Sequence, residues 1–353
     1  MVDMRRQTFT FKNKPYILGA YSVVGKKEGE GPLGKWFDNV LRDDIYDEPT
    51  WEKAESKMLK ISMMEAIRRS GKTHEEVGAM LSGDLLNQLM SSSFMARDMQ
   101  IPFLGMYGAC STMTESLTLG GVLVDGGYSD NVVIGASSHF CTAERQFRLP
   151  LEHGNQRPPS AQWTATAAGA MVISSKPGDD LKKMDENGKI INIKNVRVES
   201  ATIGRVVDAG IKDSNQMGSA MAPAATNTLI THLRETERKF DYYDLILTGD
   251  LGFIGKDIVK DLMADVYADT DTLNRIYDDC GAMIYRPQQD VHSGGSGCGC
   301  SAATFAGYLF KKMQMGEIRK ALIMSTGALM STISPFQGES IPGIAHAISL
   351  ESE

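Results

Sequence analysis

Gly108-Ala-Cys-Ser111 is the stretch that decides the fold, because it introduces a segment rich in small and apolar residues. That segment ends in the turn-forming residues 126–131, and the apolar run Val132-Val-Ile-Gly-Ala-Ser137 follows. Adding 190 to these residue numbers reaches Cys300-Ser301, a second small and apolar segment and the run Ala321-Leu-Ile-Met-Ser325. The sequence therefore predicts an internal repeat of cysteine turn, helix and buried strand.

A second pair of motifs supports this repeat. Leu81-Ser-Gly-Asp-Leu85 matches Leu247-Thr-Gly-Asp-Leu251 at an offset of 166 residues. Each half then reads as strand, Gly-Asp-Leu turn, helix, cysteine turn, helix and strand, which predicts α/β layers around a largely parallel sheet. The charged segment 179–188, with the turn signal Asn187-Gly188, is the predicted link. The two predicted halves are therefore residues 1–178 and residues 189–353.

Local patterns predict individual elements within the halves. Apolar runs at 131–135 and 243–247 predict buried strands, and apolar residues at helical spacing predict helices over 219–236 and 256–267. The glycine- and lysine-rich segment Gly25–Gly34 predicts a surface loop, because its glycines match no phosphate-binding pattern.

Composition excludes several classes of protein. The 353 residues are 42% hydrophobic and 23% charged, as in an ordinary globular protein. A net charge of −7 argues against nucleic acid as a partner. No apolar run is long enough for a transmembrane helix and the polar start does not resemble a signal peptide, so we expect a soluble protein. Five cysteines, an odd number, do not suggest a disulfide framework.

Cys110 is the first candidate for chemistry. Residues 111–115 predict the first turn of a helix, so the thiol would face free N–H groups and the positive end of the helix dipole. This position favours the nucleophilic thiolate, and the same N–H groups would suit a ligand carboxylate. The alternative is a small buried cysteine that takes no part in chemistry.

The second cysteine turn combines His292 with Cys298 and Cys300. These residue types can bind zinc, but Cys-x-Cys is a tight spacing for two ligands of one tetrahedral ion, and the sequence has no second pair. We therefore expect no metal site and no cofactor. The glycines of this turn are better suited to a close approach of the backbone to a ligand or to the other half.

Two further residues are candidates by position. His139 follows the strand predicted from Val132, so it would lie at a carboxyl end of the sheet, where open α/β sheets bind ligands. Arg145 could pair with a ligand carboxylate through two hydrogen bonds. A structural role for the histidine and a solvated surface role for the arginine are the alternatives.

These residues together resemble the thiolase superfamily, in which two similar halves form αβαβα layers and an active cysteine leads a buried helix. Gly108-Ala-Cys-Ser111 resembles the nucleophile turn of the first half, and Cys300-Ser-Ala-Ala303 resembles the matching turn of the second half. Ala167–Ile173 is similar to the final strand of the first half. The resemblance covers nearly the whole chain and implies a thiolase-like α/β fold of two pseudo-repeated halves. It also implies a homodimer formed through the first half.

The departures from the superfamily pattern bear on activity. Where its synthases carry a His-x-x-Asn segment, this chain reads Thr248-Gly-Asp-Leu-Gly252, and Gly299 stands where they carry an asparagine. His292 is similarly placed to the thiolase histidine, but it is followed by Ser293 rather than proline, and its spacing differs by one residue. Acyl transfer needs a base for the thiol and donors for the oxyanion, so these losses predict a protein that is not an enzyme.

A closer resemblance is to a non-enzymatic family within this superfamily, known from spore-forming bacteria. It rests on Arg5–Phe11, Gly83–Gln88, Ser91–Phe94 and Gly105–Thr114. The resemblance implies binding of dipicolinic acid, free or as its calcium chelate, and a role in moving it across the spore inner membrane. It therefore implies a peripheral location at that membrane and, as partners, membrane proteins of the same sporulation transport system.

The expected ligand site follows from this resemblance. One carboxylate would meet Cys110, Ser111 and their N–H groups, and the other would meet Ser296 and the turn before Cys300, with His139, Arg145 and His292 nearby. Asp250 would repel a dianion unless calcium bridges the two, so it is either a contact of the calcium chelate or a structural turn residue. An active acyltransferase that uses Cys110, with His292 or His139 as base, is the alternative function, and a purely structural scaffold is a third.

Overall fold

The strands form two similar groups along the chain. The computed structural model describes residues 6–147, 157–178, 182–184 and 190–353. Its strands in the first group are β1 (Thr8–Thr10), β2 (Tyr16–Val24), β3 (Asn39–Val40), β4 (Ala79–Gly83), β5 (Phe103–Gly105), β6 (Asn131–Ser138), β7 (Trp163–Thr164) and β8 (Ala167–Ser174). A short hairpin, β9 (Lys182–Met184) and β10 (Ile190–Asn192), precedes β11 (Val196–Thr202), β12 (Leu245–Gly249), β13 (Tyr277–Asp279), β14 (Gly295–Ser296), β15 (Lys320–Ala328) and β16 (Gly343–Ser352).

Strand order shows the internal repeat directly. The main sheet runs β13-β12-β15-β16-β11-β2-β8-β6-β4-β5, so each half contributes five strands in mirrored order about the β11–β2 pair. In the first half β4 is parallel to β5 and β6, whereas β8 is antiparallel to β6 and β2. The second half repeats this pattern. The prediction of a largely parallel sheet is therefore wrong for two strand pairs of each half, because one strand of each half returns antiparallel across the sheet.

Helices cover the strands in layers. Their bounds are α1 (Lys26–Gly29), α2 (Trp51–Arg69), α3 (Met90–Met99), α4 (Thr112–Asp125), α5 (Phe140–Phe147), α6 (Met217–Thr236), α7 (Gly252–Ala264), α8 (Thr270–Ile276), α9 (Cys280–Met283), α10 (Cys298–Ala303) and α11 (Phe310–Gln314). A π-helical turn, Thr304–Leu309, joins the last two. α2 packs on β2 and β8, and α6 packs on β15 and β16. Between these outer layers, α4 contacts β6 of its own half and β15 and β16 of the other, which gives the αβαβα layers.

The central layer explains the composition of the two cysteine turns. Every residue of α10 is buried, and this helix packs on β6 and β8 of the other half. A Cβ atom on Gly169 of β8 would lie 2.2 Å from the carbonyl oxygen of Ala302. A Cβ atom on Gly299 would lie 2.1 Å from the carbonyl oxygen of Ala167. The backbones of the two halves therefore touch at positions that only glycine permits.

Several predicted boundaries need correction. The helix predicted over 256–267 is α7, which begins at Gly252, directly after the Gly-Asp-Leu turn. The strand predicted over 243–247 begins later, at Leu245, because Tyr243 caps the 3-10 turn Phe240–Tyr242, and it extends to Gly249. The segment Gly25–Gly34 is more than a surface loop, because it contains α1 and the buried Glu28. Much of the predicted link 179–188 lies outside the described residues.

The contact at Gly169 predicts a large effect of one methyl group. Gly169→Ala should lower the free energy of unfolding by about 3 kcal/mol, because the rigid backbone of α10 must move away. Urea unfolding would measure it. Gly71→Ala is the control: its φ is +72° and nothing lies within 4 Å of the added Cβ. The control should lose only about 1 kcal/mol, from backbone strain. An equal loss in both variants would contradict the close packing.

Candidate functional site

A cavity lies where the two halves meet, beside the first cysteine turn. The space inside the cavity, counted together with the open solvent at its mouth, is about 470 Å³. Both halves contribute to its lining, which is mainly apolar. The lining residues are Leu85, Tyr107, Ala109, Cys110, Ala143, Glu144, Phe147, Thr164, Met217, Ser296, Ala328 and Met330.

Cys110 is held at this cavity by a strained turn. Ala109 has a φ of +51°, a left-handed conformation that is uncommon for alanine. Ser111 closes the turn, since its Oγ donates to the carbonyl oxygen of Gly108 at 2.7 Å, and α4 begins at Thr112. The structure therefore brings Cys110 to the cavity and gives Ser111 a structural role outside the lining.

The electrostatics of Cys110 contradict the expected thiolate. Burial raises the pKa of the thiol far above its usual range. The backbone N–H of Gly297 favours the thiolate, as expected for a donor at a turn, but burial outweighs it. Cys110 is therefore a neutral thiol at ordinary pH, which makes it a weak nucleophile.

A two-stranded sheet that joins the halves also contributes to the lining of the cavity. β7 pairs parallel to β14, with Trp163 opposite Gly295 and Thr164 opposite Ser296. This pairing turns the hydroxyl-bearing Thr164 and Ser296 to the same cavity as Cys110. Two of the predicted ligand contacts, Cys110 and Ser296, are thus brought together, and Thr164 joins them.

His139 follows β6 as predicted, but it does not line the cavity. Its ring is fully buried, with Nε2 2.7 Å from the carbonyl oxygen of Asp44, while the backbone N–H of Cys141 donates to Nδ1. Burial lowers the pKa of His139, so the ring is neutral. Both nitrogens hold neighbouring backbone in place, which is the structural role that the sequence left open as the alternative.

Arg145 and His292 are also placed outside the lining. Arg145 pairs with Glu52, and its side chain is 48% exposed on the outer side of α5. His292 lies in the turn before β14, with Nδ1 2.8 Å from the carbonyl oxygen of Pro158 and Nε2 3.1 Å from Asp290. Local partners satisfy both side chains, and neither is in position to act as a base for Cys110.

Asp250 and Cys300 lie behind the cavity rather than at it. Asp250 has a φ of +74° and is fully buried, and neither carboxyl oxygen makes a hydrogen bond of normal geometry within the described residues. Burial and the charge of Asp279 raise the pKa of Asp250 well above its usual range, which favours the neutral form of the group. Burial likewise raises the pKa of the Cys300 thiol. Asp250 is thus placed as a residue of the buried turn, which is one of the two roles that the sequence left open.

Sequence reasoning missed most of the lining. Tyr107 precedes Cys110 by three residues and could have been included from the turn itself. Glu144 lies one turn into α5, the helix that follows β6, and helices at this position reach the sheet edge where ligands bind. Met217 and Met330 carry no local signal, because only the packing of the second half brings them to the cavity.

No histidine lines the cavity within the described part of the chain. A group of three or more histidine, cysteine, aspartate or glutamate side chains able to hold a metal ion is likewise not found among those residues. In the described segments, no helix combines the length and apolar character needed to cross a membrane.

Comparison with solved structures defines the class of protein. The fold is similar to 3-oxoacyl-[acyl-carrier-protein] synthase III from Aquifex aeolicus VF5 (TM-score 0.54, 11% identity, 96% of this chain and 99% of that chain). It is also similar to AbyA1, a tetronic acid condensing enzyme (TM-score 0.58, 14% identity, 95% and 99%). A single-residue variant of OleA from Xanthomonas campestris is similar with a TM-score of 0.57 and 11% identity, covering 97% of this chain and 99% of that chain. The chain therefore has the thiolase-like fold of condensing enzymes.

Sequence comparison then gives the family. Residues 5–351 match the family described as Stage V sporulation protein AD (SpoVAD). The chain is 40% identical over 346 residues to Stage V sporulation protein AD of Bacillus subtilis (strain 168), covering 98% of this chain and 97% of that protein. The chain belongs to the stage V sporulation protein AD family.

The burial of Cys110 predicts an unreactive thiol. At about pH 8, Cys110 should react with iodoacetamide at least about 100-fold more slowly than a free cysteine, because the reactive thiolate is scarce and enclosed. Mass spectrometry of peptides from the folded protein would measure the rate. The half-buried Cys141 serves as an internal comparison, and the unfolded protein as the positive control. Rapid labelling of Cys110 in the folded protein would contradict the neutral, enclosed thiol.

Proposed function

We propose that this protein binds dipicolinic acid, free or as its calcium chelate, in the cavity beside Cys110 and does not transform it. One observation carries the proposal: the cavity holds the cysteine of the fold as a neutral thiol, with no histidine among its described lining residues. Acyl transfer needs a base to activate the thiol. A site that has the pocket without the base is suited to binding alone.

The cavity walls fit a small, flat ligand with polar ends. Apolar side chains such as Leu85, Phe147 and Met330 can cover the faces of an aromatic ring. The hydroxyl of Ser296 can donate a hydrogen bond to a carboxylate, whereas the hydroxyl of Thr164 donates to Glu144. A charge-assisted hydrogen bond contributes about 1.5–3 kcal/mol. A few of these with ring burial would reach about −8 kcal/mol, which corresponds to micromolar affinity.

Glu144 supports a part for calcium. Its side chain is buried at the cavity, with Oε1 3.3 Å from Oγ1 of Thr164. A carboxylate in the lining repels a dianion, whereas a calcium ion held by the two carboxylates of the ligand is attracted to it. We therefore expect calcium to tighten binding at this site.

The sheet edge supports a homodimer. β5 is the strand at the edge of the sheet in the first half. Leu104, at the centre of β5, is 46% exposed, and Phe94 on the adjacent α3 is also exposed. An exposed, apolar edge strand is a ready surface for pairing with another chain. We propose that two copies pair along β5.

The cellular role follows from family membership. We propose that the protein acts at the spore inner membrane, with membrane proteins of the same sporulation transport system, in uptake of dipicolinic acid into the developing spore and its release at germination. Two observations support this role. The sequence resembles a dipicolinic acid-binding family, and the similar protein of Bacillus subtilis is named as a sporulation protein.

Calorimetric titration with dipicolinic acid, with and without calcium, tests the binding site. We expect one micromolar site per chain, and a loss of affinity of about tenfold in Cys110→Ala and Ser296→Ala, the equivalent of one lost hydrogen bond. His292→Ala is the matched control outside the cavity and should bind as the wild type does. No heat up to millimolar ligand, or equal losses in all three variants, would remove the proposal.

Intact mass after incubation with acyl-coenzyme A separates binding from catalysis. We expect no added mass on the protein and no free coenzyme A. An acyl group on Cys110 would favour an active acyltransferase instead.

Light scattering tests the dimer. The wild type should have twice the chain mass of 38.5 kDa. Leu104→Arg should be monomeric, because a charge at the centre of β5 opposes pairing. Val266→Arg, at an exposed apolar residue of the second half, is the control and should remain dimeric. A monomeric wild type would contradict the proposed interface.

A further inference from the structure

The connection between β15 and β16 is longer than its geometry requires. The two strands pair in register as far as Ala328 and Gly343. A hairpin can close with a turn of about two residues, yet residues 329–342 connect this pair, and we call them the tip loop. No charged residue occurs from Ala328 to Gly338. The tip loop is therefore an uncharged extension that the sheet itself does not need.

The tip loop holds large apolar side chains in solvent. Phe336 is 88% exposed, the largest exposed fraction among the large apolar side chains of the described residues, and Ile333 is 57% exposed. The short 3-10 turn Pro335–Gln337 carries Phe336. Single exposed apolar residues are normal on a protein surface, but two so close in sequence, with no charge between them, indicate an interaction site.

The backbone of the tip loop finds many of its hydrogen-bond partners within the loop. The hydroxyl of Ser331 accepts from the backbone N–H groups of Ile333 and Ser334, at 3.4 and 3.0 Å. The hydroxyl of Ser334 accepts from the backbone N–H of Ser331 at 3.0 Å. The backbone N–H groups of residues 337–339 donate to carbonyl oxygens of the loop at 3.0 to 3.2 Å. Such internal partners matter most where water is absent, because an unpaired N–H group is costly there.

A second loop adjoins the tip loop and extends its apolar surface. Gly343, directly after the tip loop, exchanges two backbone hydrogen bonds with Val207, at 2.7 and 2.9 Å. This pairing fixes the segment 203–213 against the base of the tip loop. Ile203 and Val206 of that segment are also exposed. Two joined loops of the second half thus both present apolar side chains to solvent.

We propose that the tip loop inserts into the interface of a lipid bilayer and is the element through which this protein docks on a membrane. Phe336 and Ile333 would enter the apolar part of the interface, where burial of apolar surface provides the affinity. The internal hydrogen bonds of the loop limit the cost of removing its backbone from water.

The charge of the chain favours apolar insertion over electrostatic attraction. A net charge of −7 is repelled by anionic lipid headgroups, so charge does not hold this chain at a membrane. A protein partner fits the tip loop less well. Stable protein interfaces bury about 800 Å² on each side and surround their apolar centre with a polar rim. The tip loop offers two large apolar side chains in an uncharged stretch, which suits lipid.

The tip loop begins at the cavity. Ala328 is the last residue of β15 and Met330 belongs to the tip loop, and both line the cavity. Docking through this loop would therefore bring the cavity close to the bilayer. This consequence rests on the proposed function, because it gives the direction in which dipicolinic acid would pass to partners in the membrane. The docking itself does not depend on any ligand.

Flotation of the full chain with lipid vesicles tests the docking. We expect the wild type to float with vesicles of neutral phosphatidylcholine at least as well as with vesicles that contain anionic phosphatidylglycerol. Phe336→Asp should partition into the vesicles about tenfold less, whereas Phe336→Leu should retain most of the partitioning. Tyr128→Asp is the matched control and should float as the wild type does, because Tyr128 is an aromatic residue of the first half that is 81% exposed.

Several outcomes of the flotation experiment would overturn the proposal. These are no flotation of the wild type with either vesicle, binding to anionic vesicles alone, and equal losses in Phe336→Asp and Tyr128→Asp. Urea unfolding of Phe336→Asp should match that of the wild type, because the side chain is exposed, so misfolding would not explain a loss. A lower mass of Phe336→Asp in light scattering without lipid would make the tip loop an interface between two copies and would also overturn the proposal.

Quenching by brominated phosphatidylcholine locates the inserted residue. The additional fluorescence of Phe336→Trp, measured relative to the wild type, should be quenched by vesicles of this lipid. That of Tyr128→Trp should not, because the first-half turn stays in water. Equal quenching at the two positions, or none at position 336, would contradict insertion of the tip loop.

Titration with dipicolinic acid without vesicles separates this proposal from the proposed function. Phe336→Asp should bind the ligand as the wild type does, because Phe336 does not line the cavity. No ligand binding by either protein would refute the proposed function, and the flotation result would still decide the docking. Loss of ligand binding in Phe336→Asp alone would make the tip loop part of the ligand site and would contradict its assignment to the membrane.

Discussion

The contact between the backbones of β8 and α10 is the constraint on which the rest of the structure depends. Gly169 faces Ala302, and Gly299 faces Ala167, with no side chain between them at either point. This contact lets a short, fully buried helix of the second half lie against the sheet of the first half. The same contact places Gly297 and Ser296 near Cys110. The cavity between the halves therefore depends on glycine at positions 169 and 299.

The same close packing determines the chemistry of the site. Enclosure keeps the Cys110 thiol neutral and removes water that could stabilise a charge. Burial also raises the pKa of Asp250, so the interior behind the cavity disfavours a negative charge. The histidines expected nearby serve other purposes, since His139 holds the backbone of Asp44. A thiolase-like fold with these features is suited to holding a ligand.

Much of this fold is predictable from the sequence, because the same short turn motifs recur in both halves of the chain. The two Gly-Asp-Leu turns follow β4 and β12, and the two cysteine turns precede buried helices, as their spacing predicts. The site is less predictable. Cys110 and Ser296 reach the cavity from turns that the sequence marks, but Met217 and Met330 reach it through packing between distant elements. His139 has the expected place after β6, yet its hydrogen bonds depend on residue 44, which no pattern links to it.

The central claim is that the cavity beside Cys110 holds dipicolinic acid without forming a bond to it. A crystal structure of the protein grown with dipicolinic acid and calcium tests this most directly. The account predicts the ligand in that cavity, with its ring between apolar walls, its carboxylates near Ser296 and Thr164, and the Cys110 sulfur unmodified. A ligand bound elsewhere, an empty cavity at saturating ligand, or a covalent adduct on Cys110 would contradict it.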